Sequence, residues 1–580
     1  MKTKLLLSTL TFFMSLYMAA QYQTNVSVAN EHYHDLNQTI INDGTDDIMV
    51  ASNLFDPGMT NQVISLKRIN QFGNVVWARE YDALPLVNAR VFDIVNRFDL
   101  VYITGSVDVG GIKRVFIAEI DAATGGVLNS QFYDIVSPNF NSRGLHIEYT
   151  ESDADGDGAP DPGLVVGGFF SDCYNLSTTC INNIGFVLRT DAGLNHIWAA
   201  ELDALAPGAS ADYDFVNRIT ETSDGFFLTG SATGLNSSSF TQQGVLAHKI
   251  DFMGNPIWDN SYLFGNSQDV SVDAYYDAGT NEIYMLANYS VSHYFGVTVY
   301  NNTTGVINLT KSWYASSGDL DRYGFTIMES LSNPNNLVIA GYDRDENWTS
   351  GGTSFSGQSN VFVYEFDKAS GNPVGINYQF LVPHTEPIGD EFNFWIGQMP
   401  LIYYPEMSFV HRNAVGTVSD YFHVGYRRNN TASFTAAELY KTDLTKRNIC
   451  ENLLLNIGPV GISTFTIQVS SGVIPAFTSP LGMNVNAYNY TEDLCDTGLS
   501  TGDQEIKTGV IYPNPVSNTL YTTITGATSY IIHDALGRKV AMGQLDASKA
   551  INVEGFTSGM YFISITDDSR SAQTFKFIKN

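Results

Sequence analysis

The residues best suited to chemistry form one acidic run, Asp153-Ala154-Asp155-Gly156-Asp157-Gly158-Ala159-Pro160-Asp161. Carboxylates at its first, third, fifth and ninth positions, with glycine at the sixth, let a tight loop turn hard oxygen ligands onto one cation. The Ala159 carbonyl would serve at position seven, and calcium in a structural role is what such a set selects. Leu164 stands at position twelve, where a bidentate acid would complete a sensing loop. A solvated acidic turn is the plainer reading of the same residues, and Gly156 with Pro160 suits both.

A second group combines aromatic rings with carboxylates. Asp390, Glu391, Phe394 and Trp395 lie in one long stretch, and Trp348 closes the run Asp343-Arg344-Asp345-Glu346-Asn347. Rings stack on apolar faces while acids accept hydroxyl hydrogen bonds, so these residues are candidates for an extracellular glycan or protein ligand. The alternative is a hydrolase or lyase acting on extracellular polysaccharide through an acid pair such as Asp390 with Glu391 or Asp345 with Glu346. Packing and solubility account for both stretches as well. His32 and His34 form a weak metal pattern, and His196, His248 and His293 stand alone. No nucleophile, base and orienting group can be assembled from spacing, and there is no phosphate-binding glycine loop or Gly-x-Ser-x-Gly elbow.

These residues must be held by repeated short strands. An apolar strand ending in a small residue recurs as Val50-Ala51-Ser52, Ile103-Thr104-Gly105, Val166-Gly167-Gly168, Leu228-Thr229-Gly230, Leu286-Ala287-Asn288, Ile339-Ala340-Gly341 and His423-Val424-Gly425. An alternating strand and an Asp- or Asn-led turn follow, and Trp77, Trp198 and Trp258 each stand seven residues after Asn70, Asp191 and Asp251. Each repeat supplies about four antiparallel strands and cannot bury a core alone, so copies must pack face to face. Seven copies over residues 21–448 predict an all-β fold, a seven-bladed β-propeller with the N-terminal strand beside the last blade; an open β-solenoid is the rival.

Composition agrees with that class. The chain has 580 residues, a formal net charge of −30 and 13% aromatic residues, with only 16% charged. So acidic a surface repels phosphate backbones, which excludes nucleic acid as a partner, and so apolar a chain is no disordered acidic tail. Residues 1–20 read as a signal peptide: Lys2 and Lys4, the apolar run Leu5 to Met18, then Ala19-Ala20. No other stretch approaches a membrane span, so the mature chain is not expected to be a transmembrane protein. Four cysteines allow three pairings, of which the sequential one, Cys173 with Cys180 and Cys450 with Cys495, is favoured over a zinc site. Residues 449–505 read as a small, disulfide-closed β linker or cap.

Two resemblances follow from quoted motifs. Lys249-Ile250-Asp251 through Gly254-Asn255-Pro256-Ile257-Trp258, with Ser223-Asp224-Gly225, resembles repeats of exported bacterial propellers. Sialidase aspartate boxes set Trp closer to Asp than seven residues, so here Asp and Trp are read as fixing turns and filling blade interfaces. The acidic run resembles isolated calcium loops more than a helix-flanked EF-hand. From Ile506, the order Tyr512-Pro513-Asn514-Pro515, Asp534 with Gly537-Arg538, and Gly559 with Tyr561 closely resembles the type A sorting domain of type IX secretion in Bacteroidota. That resemblance implies an Ig-like β-sandwich over residues 506–580, handling by the type IX translocon after passage through the periplasm, and a passenger that is secreted or held at the cell surface.

Overall fold

Every element among the described residues is a β-strand. The computed structural model describes residues 22–25, most of 32–487 and most of 511–580. Outside the description lie residues 1–21, 26–31, 488–510 and several connecting stretches, the longest being 172–181, 346–358, 382–413 and 444–451. The signal peptide and all four cysteines therefore fall outside it. The chain divides into two units, Met1–Cys495 and Asp496–Asn580.

The first unit contains seven sheets in chain order. Sheet 1 takes His32–Ile40, Ile48–Phe55, Gln62–Ile69 and Val75–Leu84; sheet 2 takes Arg90–Arg97, Leu100–Val109, Ile112–Asp121 and Val127–Ile135. Sheet 3 takes Asn141–Thr150, Gly163–Ser171, Asn182–Asp191 and His196–Ala204. Sheet 4 takes Phe215–Glu221, Phe226–Leu235, Thr241–Ile250 and a split strand, Pro256–Asp259 with Tyr262–Phe264. Sheet 5 takes Asp269–Asp277, Glu282–Tyr289, Tyr294–Asn301 and Ile307–Ala315; sheet 6 takes Leu320–Glu329, Asn336–Asp345, Ser359–Asp367 and Tyr378–Leu381. Sheet 7 has Ala414–Gly416, Asp420–Asn429 and Phe434–Asp443, and its outer strand comes from the other end of the unit, Tyr22–Asn25. Second strands are apolar without alternation because both faces are covered; all nine residues of Gly163–Ser171 are buried.

A bulge repeated in the first strands explains the small residue that ends each apolar strand. Register breaks fall between His34 and Asn37, Val91 and Asp93, Gly144 and His146, Val216 and Arg218, Ser271 and Asp273, and Gly324 and Thr326. The bulge presses a first-strand carbonyl onto the second strand. A Cβ on Gly105 would lie 1.8 Å from the Arg90 carbonyl oxygen, and one on Gly168 would lie 1.9 Å from that of Arg143. In sheet 1 the matching residue is Asn53, one place after the expected Ser52, since it faces His34 as Gly105 faces Val91. In sheet 5 the matching residue is Ala287, which faces Ser271, one place before the expected Asn288; Asn53 and Asn288 each turn to the next sheet. Asn53 bonds both the N–H and C=O of Val91 at 2.8 Å, and Asn288 bonds those of Gly324 at 2.9 and 2.8 Å.

Successive first strands touch from sheet 1 to sheet 6, and that of sheet 1 also lies against sheet 7. One apolar cluster draws Phe92, Leu145, Phe215, Val272 and Ile327 from sheets 2 to 6. Between neighbours, separate clusters fill the gaps, such as Trp198, Leu202, Phe226 and Leu246 between sheets 3 and 4.

Residues 449–505 correct the sequence reading. The described residues among them, within 452–487, do not form a separate sheet; six short strands there join six different sheets. Asn452–Leu454 extends sheet 6, Ile457–Val460 sheet 5, Thr464–Thr466 sheet 4, Val469–Ile474 sheet 3, Ala476–Pro480 sheet 2 and Gly482–Ala487 sheet 1, each antiparallel to the sheet's fourth strand. This belt traverses the sheets in reverse order. Its side chains enter the gaps where they are described: Ala476 joins the cluster between sheets 2 and 3, and Leu481 that between sheets 1 and 2.

In the second unit a three-stranded sheet (Ile511–Tyr512, Thr519–Thr522, Ala550–Asn552) and a four-stranded sheet (Lys539–Gln544, Ala527–Asp534, Gly559–Asp567, Ala572–Lys579) share one core. Val516, Leu520, Ile532, Ile563 and Phe577 are fully buried there. Two sheets around one core make a β-sandwich.

Gly168→Ala is expected to destabilise the first unit by about 3 kcal/mol, because the added carbon would lie 1.9 Å from the Arg143 carbonyl oxygen and 2.8 Å from the Phe186 ring. A thermal midpoint equal to that of the unchanged protein would show that the bulge is not held as described.

Candidate functional site

The acidic run is the connection between the first two strands of sheet 3. Asp153 and Asp161 are half-buried and Asp155 is exposed, and each offers a carboxylate oxygen within 4.8 Å of the others. Oxygens on opposite sides of a cation bound at 2.3–2.6 Å lie up to about 5 Å apart, so the three fit one calcium ion. Asp157 is not part of this convergence; its Oδ1 accepts the Ala159 N–H at 2.8 Å, and Ala159 enters the loop through that amide. Asp153 accepts the N–H groups of Gly158 at 2.7 Å and Gly156 at 2.6 Å. These bonds, that of Gly158 foremost, hold the Asp153 carboxyl below its ordinary value. Such a group stays ionised and ready for a cation at neutral pH.

Arg189 anchors the loop from beneath. Its buried guanidinium donates Nη2 to the carbonyls of Asp161 and Ser152, at the loop's two ends, and Nη1 to those of Thr190 and Leu164. Burial works against its charge and pulls its pKa down, while the Asp161 carboxylate opposes that pull. Related cations stand at the same place in other sheets. Arg68 bonds Asp47 and Asp43, both at 2.7 Å, and reaches the Ala122 carbonyl of sheet 2 at 3.1 Å. Lys249 bonds Asp224 and reaches the Asn302 carbonyl of sheet 5 at 3.0 Å.

The tryptophans that recur after Asp or Asn take up the interface role expected from sequence. Trp77 donates Nε1 to the Ala122 carbonyl at 3.2 Å, Trp198 to that of Phe252 at 3.1 Å, and Trp258 to that of Asn302 at 2.8 Å. Each acceptor is in the hairpin turn of the following sheet. In that turn Gly254 holds φ +85°, and its absent Cβ leaves room for the Trp198 ring, whose Cε3 would lie 3.0 Å from it.

Sequence reasoning missed a buried polar chain along the first strands. Asp93 of sheet 2 bonds Nδ1 of His146 in sheet 3 and accepts the Ile147 N–H at 3.0 Å. His146 Nε2 lies 3.2 Å from the Ile219 carbonyl of sheet 4, and Arg218 Nη1 lies 3.4 Å from Nδ1. Arg218 Nε then meets Asp273 of sheet 5 at 2.9 Å, and Asp273 accepts the Ile327 N–H of sheet 6 at 2.9 Å. All four side chains directly follow bulges, a regularity of position with no regularity of residue type.

The remaining candidates divide as follows. Trp348, Asp390, Glu391, Phe394 and Trp395 lie outside the described residues, as do Cys173, Cys180, Cys450, Cys495 and His293. His32 and His34 are placed in the first strand of sheet 1. His196 is half-buried, and burial lowers its pKa. His248 is buried with Nδ1 3.6 Å from Asp259.

In the second unit the motif residues shape its edges. Asn514, between Pro513 and Pro515, donates to the Lys576 carbonyl and accepts the Ile578 N–H, both at 2.9 Å, as a neighbouring strand would. The Tyr512 ring stacks on Tyr521 at 5.7 Å. Arg538 folds back on Asp534, with Nε at 2.8 Å from Oδ2, and closes their turn, in which Gly537 lies outside the described residues. Gly559 opens the strand that carries Tyr561, whose hydroxyl reaches the Thr557 carbonyl at 2.9 Å and whose ring packs on Phe577.

Residues 510–580 match the family described as the secretion system C-terminal sorting domain. The chain is thus a cargo of type IX secretion, exported to the cell surface or the extracellular space. Among the described residues no helix is long and apolar enough to cross a membrane. No curated protein matches the chain. Among solved structures it is similar to the endosialidase of phage phi92, at 9% identity and a TM-score of 0.33, covering 74% of this chain and 70% of that one. It is also similar to the extracellular domain of a one-component system, BT4673, from B. thetaiotaomicron, at 10% identity and a TM-score of 0.24, covering 97% and 99%.

Acid should loosen the cation-held turns. Burial works to raise the Asp224 and Asp277 carboxyls, but bonds from Lys249 and Lys368 outweigh it and leave both lowered. A folded value below the unfolded one contributes stability that is complete above about pH 4 and lost as pH falls through the folded value. The urea midpoint is therefore expected to drop below pH 4, with a shallower drop in Lys249→Met. Equal acid sensitivity in that variant would contradict the assignment.

Proposed function

We propose that the seven sheets close into a seven-bladed β-propeller that serves, outside the cell, as a non-catalytic binding module for a glycan or protein. The observation that carries this reading is how the buried polar positions that recur in the repeats are spent: Asp93, His146, Arg218 and Asp273, like the three tryptophans, bond sheet to sheet. Recognition then falls to the long connections of sheets 6 and 7, where Trp348, Asp390, Glu391, Phe394 and Trp395 stand in sequence. Convergence of first strands on one apolar cluster, and the position of sheet 1 against both sheet 2 and sheet 7, support closure. Calcium at Asp153, Asp155 and Asp161 is a structural cofactor in this reading. It would supply charge neutralisation to the loop and no chemistry. The cysteine pairing stays sequential, and a bond between Cys450 and Cys495 would enclose every strand of the belt.

Three measurements test the reading. The mature protein, screened against glycans and cell surfaces beside a polysaccharide-degradation assay, is expected to bind without releasing product. Trp395→Ala should cost about 1–3 kcal/mol of affinity while the fold survives. Product release that is lost on Asp390→Asn or Glu391→Gln would overturn the binding role in favour of catalysis. Calcium at a hundred times its Kd should stabilise the protein by about 2.7 kcal/mol. Asp155→Asn with Asp161→Asn should remove that gain, and an unchanged melting temperature with calcium would exclude the site. Deleting residues 506–580 should leave a folded passenger in the periplasm, whereas normal export of the shortened chain would refute the role of the sorting domain.

A further inference from the structure

We infer that the row of outer sheet edges is a strand-binding surface whose ligand is the chain's own segment 452–487, held by the sum of six weak contacts, so that the first unit is completed only when that segment arrives. The inference does not rest on the binding role proposed above. A fourth strand with nothing beside it leaves a row of unpaired N–H and C=O groups, the ordinary template for another strand. Here six such edges are filled by one continuous segment, in strands of only three to six residues. No strand of that length would hold by itself. Joined end to end, each raises the effective concentration of the next, which is how a series of weak sites becomes a stable whole.

The contacts of the belt are not confined to the sheet each strand extends. Leu481 donates its N–H to the Ser130 carbonyl at 3.0 Å and accepts the Ser130 hydroxyl, while its side chain, 6% exposed, sits in the cluster of sheets 1 and 2. Val136 donates to the Pro475 carbonyl at 2.8 Å, and the His196 N–H of sheet 3 reaches Thr478 Oγ1, in the strand on sheet 2, at 3.4 Å. The belt therefore fastens neighbours to each other as well as covering edges. Every sheet that it joins precedes it in the chain. Without residues 452–487 the fourth strands of sheets 1 to 6 are open, and the gaps between sheets 1, 2 and 3 lack Leu481 and Ala476.

The test uses the full chain with a specific protease sequence placed in residues 444–449, cut after folding. If the belt is a multivalent ligand, the carboxyl-terminal fragment stays bound after cutting and co-elutes with the rest. Leu481→Asp should speed its release by at least about tenfold, since it puts a charge into an apolar gap. Phe477→Ser, whose side chain is 56% exposed on the same segment, should leave release unchanged. Immediate loss of the fragment on cutting, or equal effects of the two substitutions, would overturn the inference. Hydrogen exchange on the uncut chain gives an independent reading: Leu481→Asp should raise exchange in Val75–Leu84 and Val127–Ile135 and spare second strands. A uniform rise across all strands would count against a separable belt.

Discussion

Backbone groups at the edge of a β-sheet must find partners, and in this protein that requirement organises everything else. A four-stranded sheet has two edges, and seven such sheets in series would leave many open rows of donors and acceptors. The inner rows are bulged and turned against one another, so that side chains of one sheet meet peptide groups of the next, as Asn53 does with Val91. The outer rows are covered by chain from the two ends of the unit. Tyr22–Asn25 completes sheet 7, and residues 452–487 extend the other six.

Inner and outer edges are managed by different physics. At the inner edge a bulge brings a first-strand carbonyl close to the second strand, and the residue opposite is glycine in sheets 2, 3, 4 and 6, Asn53 in sheet 1 and Ala287 in sheet 5. The residues after the bulges of sheets 2 to 5 are buried, where a lone charge would be costly, and Asp93, His146, Arg218 and Asp273 bond one to the next across four sheets. At the outer edge the bonds are between main chains, which explains why the belt shows no repeat of side-chain type. Cations on third strands do a third task, tying the acidic connections to the turn of the next sheet. The acidic loop of sheet 3 occupies the matching connection, enlarged until three carboxylates face a common point, and its Arg189 bonds carbonyls of its own sheet.

What was legible in the sequence follows from what is local. Seven repeats, their turns and the interface role of the tryptophans could be read because each depends on residues within a few positions of one another. The acidic loop could be read for the same reason, though only the fold shows that Asp157 turns to Ala159 while Asp161 joins the cluster. The buried chain from Asp93 to Asp273 was illegible because its four members are of three residue types and lie 53 to 72 residues apart from one neighbour to the next. The belt was illegible because its strands are shorter than any periodicity can reveal, and their partners lie up to about 400 residues away by the register of Gly482 with Leu84. A segment that pairs through its backbone writes little of that role into its side chains.

The central claim is that one segment closes the outer edges of six sheets, and residue-level hydrogen exchange on the unaltered protein tests it most directly. If the claim holds, amides in the fourth strands of sheets 1 to 6 exchange as slowly as those of the second strands, because both lie between bonded neighbours. Fast exchange confined to the outward-facing amides of those fourth strands, with the second strands protected, would show open edges and contradict it.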